Sequence, residues 1–186
     1  MDDIVKQAMA KWPNVPDCHG WLGLDARGDW YLRDAQAQAQ GAFTSGRPGA
    51  KGDVIRLTKL IEFIGRNYDR DARGCWSFQN GPQRVFVELE AAPWVLRLSR
   101  DEAGRFTVHT HTGRAVQAQA PLIDEHGQAY LHTDAGLGLV HTLDMHVLAD
   151  ALEAGHWPEP EALTQAELGP RFGFVASPQA LASDAA

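Results

Sequence analysis

Four short stretches of this chain share one pattern: an Asp, two residues, a Gly, a spacer and a bulky apolar residue. They are DARGDW (Asp25–Trp30), DARGCW (Asp71–Trp76), DEAGRF (Asp101–Phe106) and the looser DEHGQAY (Asp124–Tyr130). An Asp at the first position of a turn accepts hydrogen bonds from backbone N–H groups ahead of it. A Gly then supplies a left-handed residue, which a Cβ would oppose. The bulky residue starts the return strand. The pattern is therefore a hairpin signal, and four copies predict a sheet built from hairpins. A calcium loop needs alternating acids and a late Glu, and no copy has them. The copies begin at 25, 71, 101 and 124. That uneven spacing excludes a solenoid or propeller, while the near-identity of the first two suggests a duplicated hairpin unit.

Around these turns the chain alternates between strand-like and helix-like runs. Residues 2–11 place Ile4, Val5, Ala8 and Met9 on one helical face. A hairpin is predicted over about 20–33. Residues 34–52 (DAQAQAQGAFTSGRPGAKG) are small, polar and Gly-rich, and read as a flexible loop. Asp53 is expected to cap the helix DVIRLTKLIEFIGRNY, whose Val54, Leu57, Leu60, Ile61, Ile64 and Tyr68 have helical spacing. Strands follow near 75–79 and in RVFVELE and WVLRL. RVFVELE puts Val85, Val87 and Leu89 on one face and Phe86, Glu88 and Glu90 on the other. Further strands are expected near 105–110, 115–119, 128–132 and 137–142. Asp144 is expected to cap MHVLADALEA, with Gly155 as its stop.

The fold class is therefore α+β: a mostly antiparallel, hairpin-built sheet or sheets with about three helices. Residues 1–155 form one domain, divisible at about 98/99 into two small subdomains with a repeated motif. Residues 156–186 form a Pro- and Ala-rich tail that is partly docked, with a frayed end at SDAA. A doubly wound nucleotide fold is disfavoured, because no regular β-α-β alternation occurs.

The run from the predicted helix through WVLRL resembles a family of uncharacterised proteobacterial proteins, a domain of unknown function. It is similar, more distantly, to a second uncharacterised bacterial family. The shared pattern is Asp25/Gly28/Trp30, the helix from Asp53, and Asp71/Gly74/Trp76. It closes with Pro82, Val87, Leu89, Glu90, Ala92, Pro93 and Trp94, and a later T-x-x-G at Thr110–Gly113 also fits. The resemblance covers roughly residues 20–145. It implies an α+β fold with repeated hairpin units and no particular activity. This chain departs from the pattern in its 34–52 segment and at Ala91, where the family tends to carry a second acid.

The charge is unevenly placed. The net charge is −7, with a basic middle (residues 47–114, +4) and an acidic end (residues 115–186, −9). A charge of +4 is weak for nucleic acid. No apolar run approaches the roughly 20 residues of a membrane-spanning helix, and the acidic start MDDIVKQ does not read as a signal peptide. The expected location is cytoplasmic. Two cysteines, Cys18 and Cys75, are no disulfide framework.

Candidate sites are few. His109 and His111 share one face of a strand, and His132 follows. Imidazoles at that spacing converge on zinc or iron, but no carboxylate or thiol completes a known ligand spacing. Glu88 and Glu90 are candidate paired carboxylates for acid/base work, weighed against the solvated face of a half-buried sheet. Cys75, just after a turn Gly, is a candidate exposed nucleophile without an assigned base. Trp30, Trp76 and Phe106 offer stacking surfaces, but sit where aromatics usually cover a sheet end. GRPGAKGD does not match a phosphate loop. The expected function is a non-enzymatic cytoplasmic binding or regulatory module, such as one used in signalling. Its partner is a small ligand or a protein; no cofactor, nucleic acid or membrane is expected, and the oligomeric state is left open. The rivals are a metal-dependent or hydrolase-like enzyme using the His/Glu residues, and weak nucleic-acid binding by the basic middle.

Overall fold

The computed structural model describes residues 1–184 and divides the chain into two compact units. Unit 1 comprises Met1–Asp25, Asp29–Glu90 and the C-terminal residues from Phe174; unit 2 comprises Ala26–Gly28 and Ala91–Gly173. In chain order unit 1 runs α1 (Asp3–Lys11), β1 (Cys18–Leu24), β2 (Trp30–Leu32), α2 (Ala35–Ala39), β3 (Asp53–Val54), α3 (Thr58–Arg66), β4 (Tyr68–Arg70), β5 (Trp76–Asn80) and β6 (Gln83–Leu89). Its sheet has the order β3-β2-β1-β6-β5-β4. Two antiparallel three-strand meanders are joined at the centre by a parallel pair, β1 with β6.

Unit 2 continues with β7 (Trp94–Arg100), β8 (Phe106–Thr110), β9 (Ala115–Val116), β10 (Ala118–Ile123), β11 (Ala129–Thr133) and β12 (Gly136–Val140). A 3-10 turn at Thr142–Asp144, α4 (Met145–Glu153), β13 (Glu161–Ala162) and α5 (Gln165–Phe172) follow. The sheet order is β13-β10-β11-β12-β7-β8-β9. Apart from the added edge strand β13, this is the wiring of unit 1. Two meanders are again joined by a parallel pair between the first strand and the last, β7 with β12. Finally α6 (Pro178–Asp184) belongs to unit 1. Most strand pairings are antiparallel, as hairpin turns require, but each sheet is mixed.

The repeat is thus larger than the two DAR phrases suggest. Asp25 and Asp101 open the first hairpin of each unit, while Asp71 and Asp124 open the turn that follows the first strand of each second meander. DARGDW and DARGCW are different turns within one topology, not two copies of one hairpin. The geometry is the expected one. The Asp N–H reaches the carbonyl four residues ahead in all four turns: Asp25 to Asp29, Asp71 to Cys75, Asp101 to Arg105 and Asp124 to Gln128. In each, the carboxylate accepts from the N–H of that same residue, at 2.8–2.9 Å. Gly28, Gly74, Gly104 and Gly127 all have positive φ, from 75° to 87°. A fifth turn, Thr110–Arg114, uses the Thr hydroxyl in place of the carboxylate, with Gly113 at φ 84°.

Burial is the largest influence on the carboxyls of Asp71 and Asp124 and would raise both, but their donors together hold them below the usual range. These are the Cys75 and Arg73 N–H groups with the Arg73 guanidinium for Asp71, and the Gln128 and His126 N–H groups with the Tyr130 hydroxyl for Asp124. In Asp101 the N–H and guanidinium of Arg105 have the same effect.

The sheet register of unit 1 sorts its side chains. Leu22 lies opposite Val87, and Leu24 opposite both Leu89 and Trp30. Phe78 lies opposite Val85 and Tyr68. These residues form one apolar face, on which Phe63 of α3 meets Phe78 edge-on at 5.4 Å. The other face carries Gly23, Tyr31, Phe86, Glu88 and Ser77.

Several local expectations are corrected. Asp53 does not cap a helix: Asp53 and Val54 pair with Leu32 and Tyr31, and α3 begins at Thr58. Ladder bonds to β2 outweigh the helical period of that short stretch. Residues 115–119 are not one strand, because Gln117 separates β9 from β10. Asp144 precedes α4, but its carboxylate bonds Arg97 at 2.6 Å and the N–H of Leu98 at 3.0 Å instead of capping the helix. Burial would raise that carboxyl, and the Arg97 guanidinium holds it below the usual range. Helices α2, α5 and α6 are additional to the three expected. The tail supplies β13, α5 and α6; α6 takes in Ser183 and Asp184 of the segment expected to fray, and residues 185–186 lie outside the described residues.

Candidate functional site

The two units differ most where unit 1 has been elaborated. In unit 2 the second and third strands, β8 and β9, are joined by the tight Thr110–Arg114 turn. In unit 1 the corresponding strands, β2 and β3, are joined by residues 33–52. This segment is not the flexible linker its composition suggests. Asp34 caps α2, its Oδ1 accepting from the N–H of Ala37 at 2.8 Å. Phe43 is buried over β1, so close that a Cβ at Gly23 would stand 2.4 Å from its ring.

Arg33 holds the segment in place. Its side chain is fully buried, at 0% exposure. Its Nε donates to the Ala50 carbonyl at 2.8 Å, Nη2 to Gly41 at 2.6 Å and Nη1 to Gly20 at 3.1 Å. A guanidinium offers five donors in a rigid planar fork, so one side chain ties together both ends of the insertion and β1. Burial pushes its pKa down; the Glu88 carboxylate opposes that shift. At the rim, Lys51 bonds Glu90 at 2.7 Å and lies 5.7 Å from the centre of the Tyr31 ring.

Pinned in this way, the insertion encloses a depression of about 470 Å³. Its wall includes Asp34, Gln36, Gln40, Pro48, Gly49 and Asp53. The volume falls in the range of small-molecule sites, roughly 300–1,000 Å³. The chemistry is polar: two carboxylates and two side-chain amides, with backbone brought close by glycines. Gly52 is where β3 meets β2, since a Cβ there would lie 2.2 Å from the Leu32 carbonyl.

The residues singled out in the sequence are placed as follows. Glu88 is not on a solvated face. It is buried, at 2% exposure, and accepts from Ser177 Oγ at 2.5 Å and from the Gln179 N–H at 3.0 Å. Burial pushes its carboxyl up, against those two bonds and the nearby Arg33 and His19. Glu90 is half-buried and paired with Lys51, so the two glutamates have separate partners. Cys75 is buried at 1% exposure, not exposed, and burial pushes its thiol up, away from nucleophilic chemistry.

In unit 2, the Nδ1 of His111 accepts from the Val95 N–H at 3.2 Å. His109 lies opposite Arg97 and Ala115, and His132 packs against Phe172 at 5.2 Å. Among the described residues, no group of three or more His, Cys, Asp or Glu stands close enough to hold a metal ion. No helix among them is long and apolar enough to cross a membrane.

Sequence reasoning missed Arg33, Gln36, Gln40 and Lys51. The available signal was Phe43, a large apolar residue alone in a polar stretch and in need of a place to be buried.

A search of curated proteins finds no match. Among solved structures, the chain is similar to a DUF1285 family protein from Silicibacter pomeroyi DSS-3, crystallised at 2.50 Å resolution. The identity is 16% and the TM-score 0.49, covering 76% of this chain and 74% of that one. The DUF2944 family model, described as "Protein of unknown function (DUF2946)", matches residues 1–179. That span includes both meander units, the Asp-Gly turns and the Arg33 insertion, so the chain belongs to the DUF2944 family.

Proposed function

We propose that this chain is a non-enzymatic binding module whose ligand seat is the depression formed by residues 34–53. The observation that carries the reading is the contrast between the units. Two sheets share one wiring, and one of them holds a long insertion in a fixed shape with a buried arginine. An ordered insertion of this length is usually functional. Its ligand is a small polar molecule that donates hydrogen bonds, such as a polyol or an amine, because the two charged side chains of the wall, Asp34 and Asp53, are both carboxylates. Ligand-dependent stability then gives the module a regulatory role in the cytoplasm.

The test is a thermal-shift screen of the full chain against small polyols, sugars and amines, with native mass spectrometry for a co-purified molecule. A ligand at 100 times its Kd stabilises by about 2.7 kcal/mol. For a chain of this size that raises Tm by about 5–10 °C. Gln36→Leu with Gln40→Leu abolishes the shift while leaving the unliganded Tm within about 1–2 °C. A screen with no hit and no bound mass, or a shift that survives both substitutions, sinks the reading.

A further inference from the structure

The C-terminal strap, Phe174 to Asp184, returns to unit 1 after the chain has passed through Ala91–Gly173. It is bound there as a peptide would be. Its Val175 N–H donates to the Gly74 carbonyl at 3.0 Å, and the Leu89 N–H donates to the Ala176 carbonyl at 2.8 Å. Val175 also forms a parallel bridge with Cys75. Phe174 and Pro178 are buried. This is strand addition followed by side-chain anchors, the usual grammar of peptide recognition.

The anchors are specific. Among the described residues, the hydrogen bonds to the buried Glu88 carboxylate come from the strap, through Ser177 Oγ and Gln179 N. The side chain of Gln179 lies over Gly20, where a Cβ would stand 2.5 Å from its amide nitrogen. Its Oε1 accepts from Arg33 at 3.4 Å, and its Nε2 donates to Gln38 at 3.3 Å. Glu88, Arg33 and Gly20 therefore form a receptor for a Ser-Pro-Gln segment, with a charge for the hydroxyl and N–H and a glycine floor for the amide.

We propose that this receptor also works in trans, taking the Phe174–Asp184 strap of a second copy of the chain. An exchanged strap makes the same contacts as the strap bound in cis. Only the covalent route to it changes, which is why exchange of identical elements is a low-cost route to dimers. Intramolecular binding wins at low concentration and exchange at high concentration. The proposal does not rest on the ligand seat of residues 34–53, because a dimer held by exchanged straps forms with or without a small molecule in that depression.

The experiment uses the intact chain and the synthetic peptide FVASPQALASD, which reproduces residues 174–184. Light scattering after size-exclusion chromatography of the concentrated chain should show a dimer. Incubation with excess peptide should convert it to peptide-bound monomer, read by native mass spectrometry. A peptide carrying Gln179→Ala should need at least a tenfold higher concentration. Because the substitution is in the peptide, folding of the chain is untouched. Absence of a dimer at every concentration, a dimer indifferent to the peptide, or equal potency of the two peptides would overturn the proposal.

Discussion

Ser177 Oγ donates to Glu88 Oε2 at 2.5 Å, joining residues 89 apart in the sequence. The bond gives a buried carboxylate one of its two donors among the described residues, the other being the Gln179 N–H. Ser177→Ala removes the hydroxyl and leaves the Gln179 N–H in place. Losing a bond to a buried charged group costs about 1–3 kcal/mol. Urea unfolding should show a lower midpoint with an unchanged m-value. An unchanged midpoint would mean that water replaces the hydroxyl at no cost.

Glu88 also makes a pH prediction. Burial raises its folded-state pKa above the usual carboxylate value. A raised pKa favours folding below the unfolded value, and that contribution is lost as pH rises through the folded value. Glu88→Gln removes the titration. Its stability should therefore decline less than that of the wild type as pH rises from the ordinary carboxylate range, in urea melts taken at several pH values.

His111 has the opposite dependence. Its Nε2 is buried, and burial lowers its pKa from 6.5 to about 4. The folded state holds it neutral while the unfolded chain protonates it first. Stability is therefore full above pH 6.5, falls as pH drops toward about 4, and levels off below that. The loss from this residue is at most about 3 kcal/mol, and less where water reaches the ring. His111→Asn keeps an acceptor for the Val95 N–H and should flatten this part of the curve. The lowered turn carboxyls of Asp71, Asp101 and Asp124 act at lower pH, where their contribution is lost as pH falls through their folded values.

Arg33→Lys keeps a charge and loses the fork. One ammonium cannot reproduce the bonds to Ala50, Gly41 and Gly20. Each hydrogen bond lost from a charged donor of this kind costs about 1.5–3 kcal/mol. Hydrogen exchange should rise first in residues 34–52, ahead of the strands. If exchange rises uniformly, Arg33 supports the whole sheet and not the insertion in particular.

Two glycines separate backbone strain from crowding. Gly104 has φ 76° and open space where a Cβ would stand, so Gly104→Ala carries only the left-handed penalty, about 1–2 kcal/mol. Gly52 has φ 74°, and a Cβ there would stand 2.2 Å from the Leu32 carbonyl. Gly52→Ala must also push β3 off β2, so its Tm should fall well below that of Gly104→Ala. Equal melting temperatures would show that β3 yields without cost.

The hairpins were legible because their cause is local. An Asp that bonds N–H groups ahead and a Gly at positive φ act within five residues, so Asp25, Asp71, Asp101 and Asp124 announce themselves in any context. The order of Gly-rich residues 34–52 was not legible. It comes from Arg33 and Phe43 finding partners on β1, and partner distance across a sheet is not written in a local pattern. The start of α3 was misplaced for the same reason: Asp53 and Val54 have helical spacing but a strand to pair with.

The candidate site divides along the same line. Glu88 was legible as a carboxylate on a strand, but the alternation of RVFVELE says only which face it is on. Whether that face meets water depends on the strap, which arrives from Ser177 and Gln179 at the far end of the chain. The sequence by itself determined the turns and the strands between them, because hydrogen bonding and glycine conformation act over a few residues. The parallel pairs that make each sheet from two meanders, the burial of Arg33 and Glu88 and the return of the strap were decided only by tertiary structure. Those features depend on which distant surfaces exclude water together.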